Sequence, residues 1–190
     1  MTKQAGGVKG GVKSGVKSGV KSGQKQAAAG GAGASRRDGL RPREGDVAPD
    51  FTLPSTRGEL TLSALRGKRV LLYFYPQDMT PTCTDQACLM RDAYEDLLAR
   101  GVDIVGISPD SVERHHKFTE KYELPFTLVA DEQRTAAELY GVWQLKKLYG
   151  REYMGIVRST FLIDETGVVT HVWRNIRLKG HLDKVREAIG

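Results

Sequence analysis

The sequence predicts an α/β fold, a mixed central sheet flanked by helices, behind a disordered N-terminal tail. Three observations carry that prediction. Residues 69–75, Arg-Val-Leu-Leu-Tyr-Phe-Tyr, are the short, dense, β-prone apolar run expected of a buried strand. Helical and strand-like segments then alternate, and two strand-like runs near the C-terminus flank a short turn. Composition also changes sharply near Gly45: residues 1–45 hold 10 Lys and Arg against 2 acids, a net of +8, whereas 46–190 hold 19 basic and 21 acidic residues, a net of −2. The chain's basic charge is thus a property of the tail, not of the predicted domain surface.

Along the tail, residues 7–23 repeat GVKG, GVKS, GVKS, GVKS, G. Glycine at every fourth position opposes a helix, and the period suits no strand. Residues 1–44 are therefore expected to be disordered and 45–190 to form one domain. GVKSGVKS superficially suggests a phosphate loop, but that pattern needs Gly immediately before Lys, and Val stands there.

Within the domain, residues 51–61 suit a small hairpin, and Pro76 ends the strand 69–75. Apolar or small residues at Ala87, Met90, Ala93, Tyr94, Leu97 and Leu98 mark a helix over 84–100, stopped by Gly101. Residues 103–108 read as a strand closed by Pro109, 111–122 as a helix capped by Asp110 or Ser111, and 126–130 as a strand after Pro125. A short helix over 133–140 precedes Gly141, and 142–157 reads as a long loop. Residues 159–164 and 167–173 form a hairpin around Glu165-Thr166, and a helix over about 180–189 closes the chain. That order is the one a thioredoxin-like fold contains.

Several function classes drop out. No apolar stretch reaches the roughly 18 residues a membrane span needs, and the N-terminus lacks the apolar core of a secretory signal. The expectation is a soluble, cytoplasmic protein, with a nuclear or plastid setting as the alternative that the basic extension leaves open. There are two cysteines, Cys83 and Cys88, too few for a secreted disulfide framework. A structural zinc site would need two histidines as well, and the adjacent His115 and His116 are poorly arranged for that.

The segment Tyr75-Pro76-Gln77-Asp78-Met79-Thr80-Pro81-Thr82-Cys83 carries the chemistry. A buried strand leads into a proline-stiffened turn, and Cys83 stands where the next helix begins. Free backbone N–H groups and the positive end of the helix dipole favour a thiolate there. Thr80, three residues earlier, can turn its hydroxyl toward the sulfur. Pro76 and Pro81 restrict the backbone and shield the site from water. Arg158, just before a predicted strand, is the candidate counter-charge. Singly, each has a simpler reading: a packing cysteine, a helix cap, a solvated arginine. The conjunction is what points to chemistry.

The pattern P-x3-T-x2-C at Pro76, Thr80 and Cys83 resembles the active-site motif of peroxiredoxins. Its extension T-P-x-C-T-x3-C resembles the bacterioferritin comigratory protein or peroxiredoxin Q branch. Gly45-Asp46, Ala48-Pro49-Asp50-Phe51, Ser108-Pro109-Asp110 and Arg158-Ser159-Thr160-Phe161 extend the likeness over residues 45–190. The resemblance implies a thiol peroxidase. Cys83 would attack hydrogen peroxide or an organic hydroperoxide and become a sulfenic acid; Cys88 would condense with it to an intramolecular disulfide, and thioredoxin or a similar dithiol would restore both thiols. It implies no metal, haem or flavin cofactor. A monomer is expected, with a dimer as the alternative.

Helix geometry limits that cycle. Residues i and i+5 of one helix have Cα atoms about 8.6 Å apart, from a rise of about 7.5 Å and a rotation of roughly 140°. A disulfide generally requires less than about 7 Å. Reduced and disulfide forms are therefore expected to differ over roughly residues 82–92, with hydrogen exchange as the readout.

Other residues receive no chemical role. His115 and His116, beside Glu113, Arg114 and Lys117, read as a solvated helix face; Phe118 and Phe126 read as core; Gln77 and Asp78 flank the motif. Trp143 and Tyr149 fit either a wall of the active site or plain packing. Two other functions compete: general thiol–disulfide exchange, which usually employs C-x2-C, and weak non-specific nucleic-acid contact through the tail's spaced lysines. The tail lacks aromatic residues for base stacking.

Overall fold

The computed structural model describes residues 10–11 and 41–190. The remainder of the tail, with the disorder expected for it, lies outside the described residues. Residues 41–44, assigned to the tail by composition, contact the domain: Arg174 donates to the Pro42 carbonyl at 3.0 Å, and the Val172 N–H donates to Glu44 Oε1 at 3.2 Å.

The elements follow as β1 (Thr52–Ser55), β2 (Gly58–Thr61), a 3-10 turn (Leu62–Leu65), β3 (Arg69–Phe74), α1 (Pro81–Asp92), α2 (Tyr94–Ala99), β4 (Val102–Ser108), α3 (Val112–Tyr122), β5 (Thr127–Ala130), α4 (Thr135–Leu139), β6 (Trp143–Leu148), β7 (Arg151–Ile156), β8 (Ser159–Ile163), β9 (Val169–Arg174) and α5 (His181–Ile189). Seven strands form a mixed sheet in the order β2-β1-β5-β4-β3-β8-β9. The β3, β4 and β5 strands are parallel, while β8 runs antiparallel to β3 and β9 to β8. This is the mixed thioredoxin-like sandwich that the element order predicts.

Side-chain alternation along β3 divides the core. Val70, Leu72 and Phe74 face the layer containing α4, together with Ile107, Val129 and Phe161. Leu71 and Tyr73 face the layer containing α1, α2, α3 and α5, with Ile104, Leu128, Phe118 and Val185. Both faces are covered, so β3 is apolar at nearly every position rather than alternating.

Two departures from the sequence reading concern local order. The helix expected over 84–100 begins at Pro81 and divides at Ala93, which ends α1 as its C-cap. The apolar stripe continues because both short helices bury residues against one sheet face: Ala87, Met90, Ala93 and Leu97 are all buried. The long loop over 142–157 is instead a two-stranded hairpin of β6 and β7, register Trp143↔Ile156 to Leu148↔Arg151. Its tip carries Tyr149 in the left-handed region, 97% exposed.

Tyr73 lies opposite Gly106 on β4, and its phenol fills the space a side chain would need. A Cβ at Gly106 would stand 2.7 Å from Tyr73 Cζ and Oη and 2.8 Å from Leu128 Cδ2. Gly106→Ala is therefore expected to destabilise the fold by about 1–3 kcal/mol. An unchanged denaturation midpoint would contradict this packing.

At the other edge, His181 at the start of α5 is buried, and its Nε2 lies 3.0 Å from Thr160 Oγ1 on β8. Burial first, and the Lys184 charge second, depress its pKa from 6.5 to about 4. The unfolded chain takes up this proton near pH 6.5 while the folded chain resists it. Stability is thus complete above about pH 6.5 and falls as pH drops toward 4, by up to about 3 kcal/mol. Denaturation at pH 7 and 4.5 checks this: His181→Asn is expected to flatten the slope, and an unaltered slope would refute it.

Candidate active site

Strand register explains how residues 75 positions apart meet. Phe74 pairs with Ser159, so Arg158, just before β8, lies level with the loop that leaves β3. The ladder ends with the Tyr75 N–H donating to the Ile107 carbonyl at 3.0 Å; Pro76, half-buried, has no N–H to continue it. Thr80 adopts extended backbone angles as the N-cap of α1, and Pro81 occupies the first turn, where its fixed φ and missing N–H cost nothing. Cys83 falls in that first turn, where backbone N–H groups lack intrahelical acceptors.

Cys83 is 2% exposed and packs among Tyr73, Tyr75, Ala87 and Met90. Arg158 Nη2 donates to Cys83 Sγ at 3.2 Å, and Nη1 contacts the Gln86 carboxamide oxygen. The guanidinium is thus shared between the sulfur and a neutral acceptor, with no carboxylate pairing among the described residues. Its positive charge remains available to a thiolate and to oxygen bearing negative charge beside it.

The Thr80 hydroxyl is oriented differently from the expectation. It donates to the Gln77 carbonyl at 3.0 Å and, among the described residues, makes no bond to Sγ. Its proton is engaged there, leaving its oxygen lone pairs to accept from an incoming O–H. Cys88 is half-buried and free on the same unbroken helix α1. The geometric obstacle to joining it with Cys83 therefore applies to this form.

Sequence reasoning missed three residues. Gln86 is buried; its oxygen meets Arg158, but its Nε2 has no protein partner. Placed one helical turn beyond Cys83, that amide is a donor left without a protein partner. Asp78 and His115 are both fully buried, so His115 is not part of a solvated face; His116 alone is exposed. His115 sits three residues before Phe118 on the buried face of α3, a signal masked by the charged residues around it.

Asp78 anchors the reactive loop through every polar group it has. Its Oδ2 lies 2.7 Å from His115 Nδ1, and its Oδ1 accepts from the Tyr75 hydroxyl at 2.6 Å. Its N–H donates to Asp110 Oδ2 at 2.7 Å, and its carbonyl accepts from Arg114 Nη2 at 3.0 Å. His115 Nε2 reaches the Val129 carbonyl at 3.1 Å. Burial, followed by the charges nearby, raises the Tyr75 pKa well above the ordinary phenol value, so this hydroxyl remains a donor. The next residue, Met79, has φ of 63°, a left-handed conformation that reverses the chain between Asp78 and the start of α1.

Trp143 and Tyr149 are not brought to Cys83. Trp143 packs against the α4-side cluster with the Arg134 guanidinium 5.0 Å from its ring, and Cys83 belongs to the opposite cluster. No helix among the described residues is long and apolar enough to cross a membrane.

A thiol held against a guanidinium, with a second thiol on the same helix and a thioredoxin-like frame around both, defines the chemistry of thiol-based peroxidases. Comparison with known proteins agrees. The AhpC/TSA family description matches residues 45–172, and the chain belongs to that family, in its Bcp or peroxiredoxin Q branch. Peroxiredoxin Bcp of Bacillus subtilis strain 168 is 47% identical over 146 residues, 76% of this chain and 93% of the relative. Peroxiredoxin Bcp of Escherichia coli K12 is 46% identical over 144 residues, 75% and 92% respectively. A bacterioferritin comigratory protein structure from Xanthomonas campestris, described for its alkyl peroxide reduction activity, superposes with a TM-score of 0.69 at 34% identity, covering 73% of this chain and 89% of that one. The chain is accordingly an oxidoreductase, a thiol-dependent peroxidase.

Proposed function

We propose that Cys83 is the peroxide-attacking thiolate and Cys88 its resolving partner. The observation that carries this reading is the Arg158 guanidinium 3.2 Å from Cys83 Sγ. The thiolate attacks the terminal peroxide oxygen, the O–O bond breaks, and the sulfur leaves as a sulfenic acid. The departing oxygen takes its electron pair next to Arg158 and is protonated to water or an alcohol. Thr80 orients the peroxide through its free lone pairs, and Pro76 narrows the approach. Cys88 then displaces hydroxide from the sulfenic acid, forming a disulfide and water.

The disulfide closes only after the first turns of α1 unwind, because an intact helix holds the two Cα atoms about 8.6 Å apart. A dithiol of the thioredoxin class then reduces it by exchange. The cycle calls only on Cys83, Cys88, Thr80 and Arg158 of a single chain and so can run in a monomer. Residues 1–44, of which 41–44 contact the domain, are a basic extension to the catalytic domain at 45–190. A cytoplasmic setting fits the need for a dithiol donor. Hydrogen peroxide and organic hydroperoxides both satisfy the chemistry.

Coupled NADPH oxidation with thioredoxin and its reductase tests the reading. One NADPH is expected to be consumed per peroxide added. Thioredoxin-dependent reduction of a model disulfide, without peroxide consumption, would favour general thiol exchange instead.

A further inference from the structure

A cleft of about 540 Å³ opens on the far side of β9, lined by Val172, Trp173, Arg174, Asn175, Ile176, Arg177, Lys179, His181 and Lys184. It shares no lining residue with the peroxidase site, although the Ile176 N–H donates to the Arg158 carbonyl at 3.1 Å. The lining carries four permanent cations and no carboxylate. Arg174 is already engaged, donating to the Tyr140 and Pro42 carbonyls with its guanidinium over the Phe161 ring. Arg177, Lys179 and Lys184 form no ion pair among the described residues. The nearby Asp183 is turned to Arg186, 3.8 Å away.

Two further features favour an anion. Helix α5 starts beside this cleft behind Gly180, which has no side chain to cap it, so the positive end of the helix lies near the lining residues His181 and Lys184. His181 is 4% exposed and lines the cleft. Its Nε2 is committed to Thr160, while Nδ1 makes no hydrogen bond among the described residues. That nitrogen is not among the fully buried unpartnered polar atoms, so it is open to the cleft and free to meet a ligand there. Three unpaired cations held close together also repel one another, and a multiply charged anion removes that repulsion.

We propose that this cleft binds a di- or polyphosphate group, free or as an ester. Arg177, Lys179 and Lys184 neutralise its charge, while the α5 terminus and His181 Nδ1 meet its oxygens. This binding is independent of the roles assigned to Cys83 and Cys88.

Trp173 in the cleft wall supplies a local reporter. In the full chain carrying Trp143→Phe, Trp173 fluorescence is followed during titration with pyrophosphate and with ADP. Sodium chloride at matched ionic strength is the control. A saturable response with Kd below about 1 mM is expected, weakened about tenfold or more in an added Arg177→Gln/Lys184→Gln pair. Wild-type peroxidase turnover of that pair verifies that it is folded. Equal affinity for both probes identifies the phosphate group alone as the ligand; tighter ADP binding identifies an ester. No saturable response to either probe, a response reproduced by sodium chloride, or unchanged affinity in the pair would overturn the proposal.

Discussion

Cys83→Ser is expected to lower peroxidase kcat/KM by about four orders of magnitude or more, the scale seen when a covalent nucleophile is removed. Serine preserves the size and place of the side chain in the first turn of α1. Its hydroxyl, however, stays protonated at neutral pH even beside Arg158, and so provides no nucleophile for peroxide oxygen. Cys88→Ser separates the two thiols. It is expected to consume one equivalent of peroxide at the wild-type rate and then stall, because the sulfenic acid has no partner within the chain. Stopped-flow and steady-state assays with thioredoxin read these phases. More than about 1% residual turnover in Cys83→Ser, or no first-equivalent burst in Cys88→Ser, would contradict the assignment.

Asp78→Ala is expected to destabilise the reduced protein by about 3–4 kcal/mol, within the range for breaking a buried hydrogen-bonded pair. It leaves the Tyr75 hydroxyl and His115 Nδ1 without the carboxylate that both contact inside the core. Asp78→Asn retains one carbonyl acceptor and should recover roughly half of the loss. Turnover should fall too, since Asp78 fixes the residue before Met79 and, through it, the start of α1. Denaturant unfolding under reducing conditions gives the stability term, and a change below about 0.5 kcal/mol would refute the anchoring role.

In the proposed cycle this anchor would also confine the opening of α1. Tyr75, Asp78, Asp110 and Arg114 hold the loop to β4 and α3, whereas residues 81–88 are held by their own helix, by packing and by the Arg158 contacts with Cys83 and Gln86. Unwinding α1 therefore need not release the loop that precedes it. Thr80 and Arg158 would then keep their supports from Gln77 and β8 while Cys83 moves.

How far the sequence specifies this arrangement varies by residue. The buried strand 69–74 and the cysteine after its proline-rich turn are legible because apolar density and backbone restriction are local properties. The pairing of Arg158 with Cys83 is less so, since it depends on β3–β8 register across the sheet. His115 was hidden because burial of a polar ring depends on a partner, and that partner, Asp78, is 37 residues away. Gln86 gave no signal: a glutamine one turn into a helix usually faces water, and only Arg158 makes burial tolerable. The β6–β7 hairpin was obscured because both strands are largely exposed and mix Lys, Arg and Glu with apolar residues. The break at Ala93 left no mark because both helices keep the same buried face.

The most direct test is mass spectrometry of the reduced chain after one equivalent of peroxide, with free thiols blocked at intervals and the peptides mapped. The account predicts a transient sulfenic acid at Cys83, followed by a Cys83–Cys88 disulfide within one chain. A first oxidation at Cys88, or disulfides formed only between chains, would contradict it.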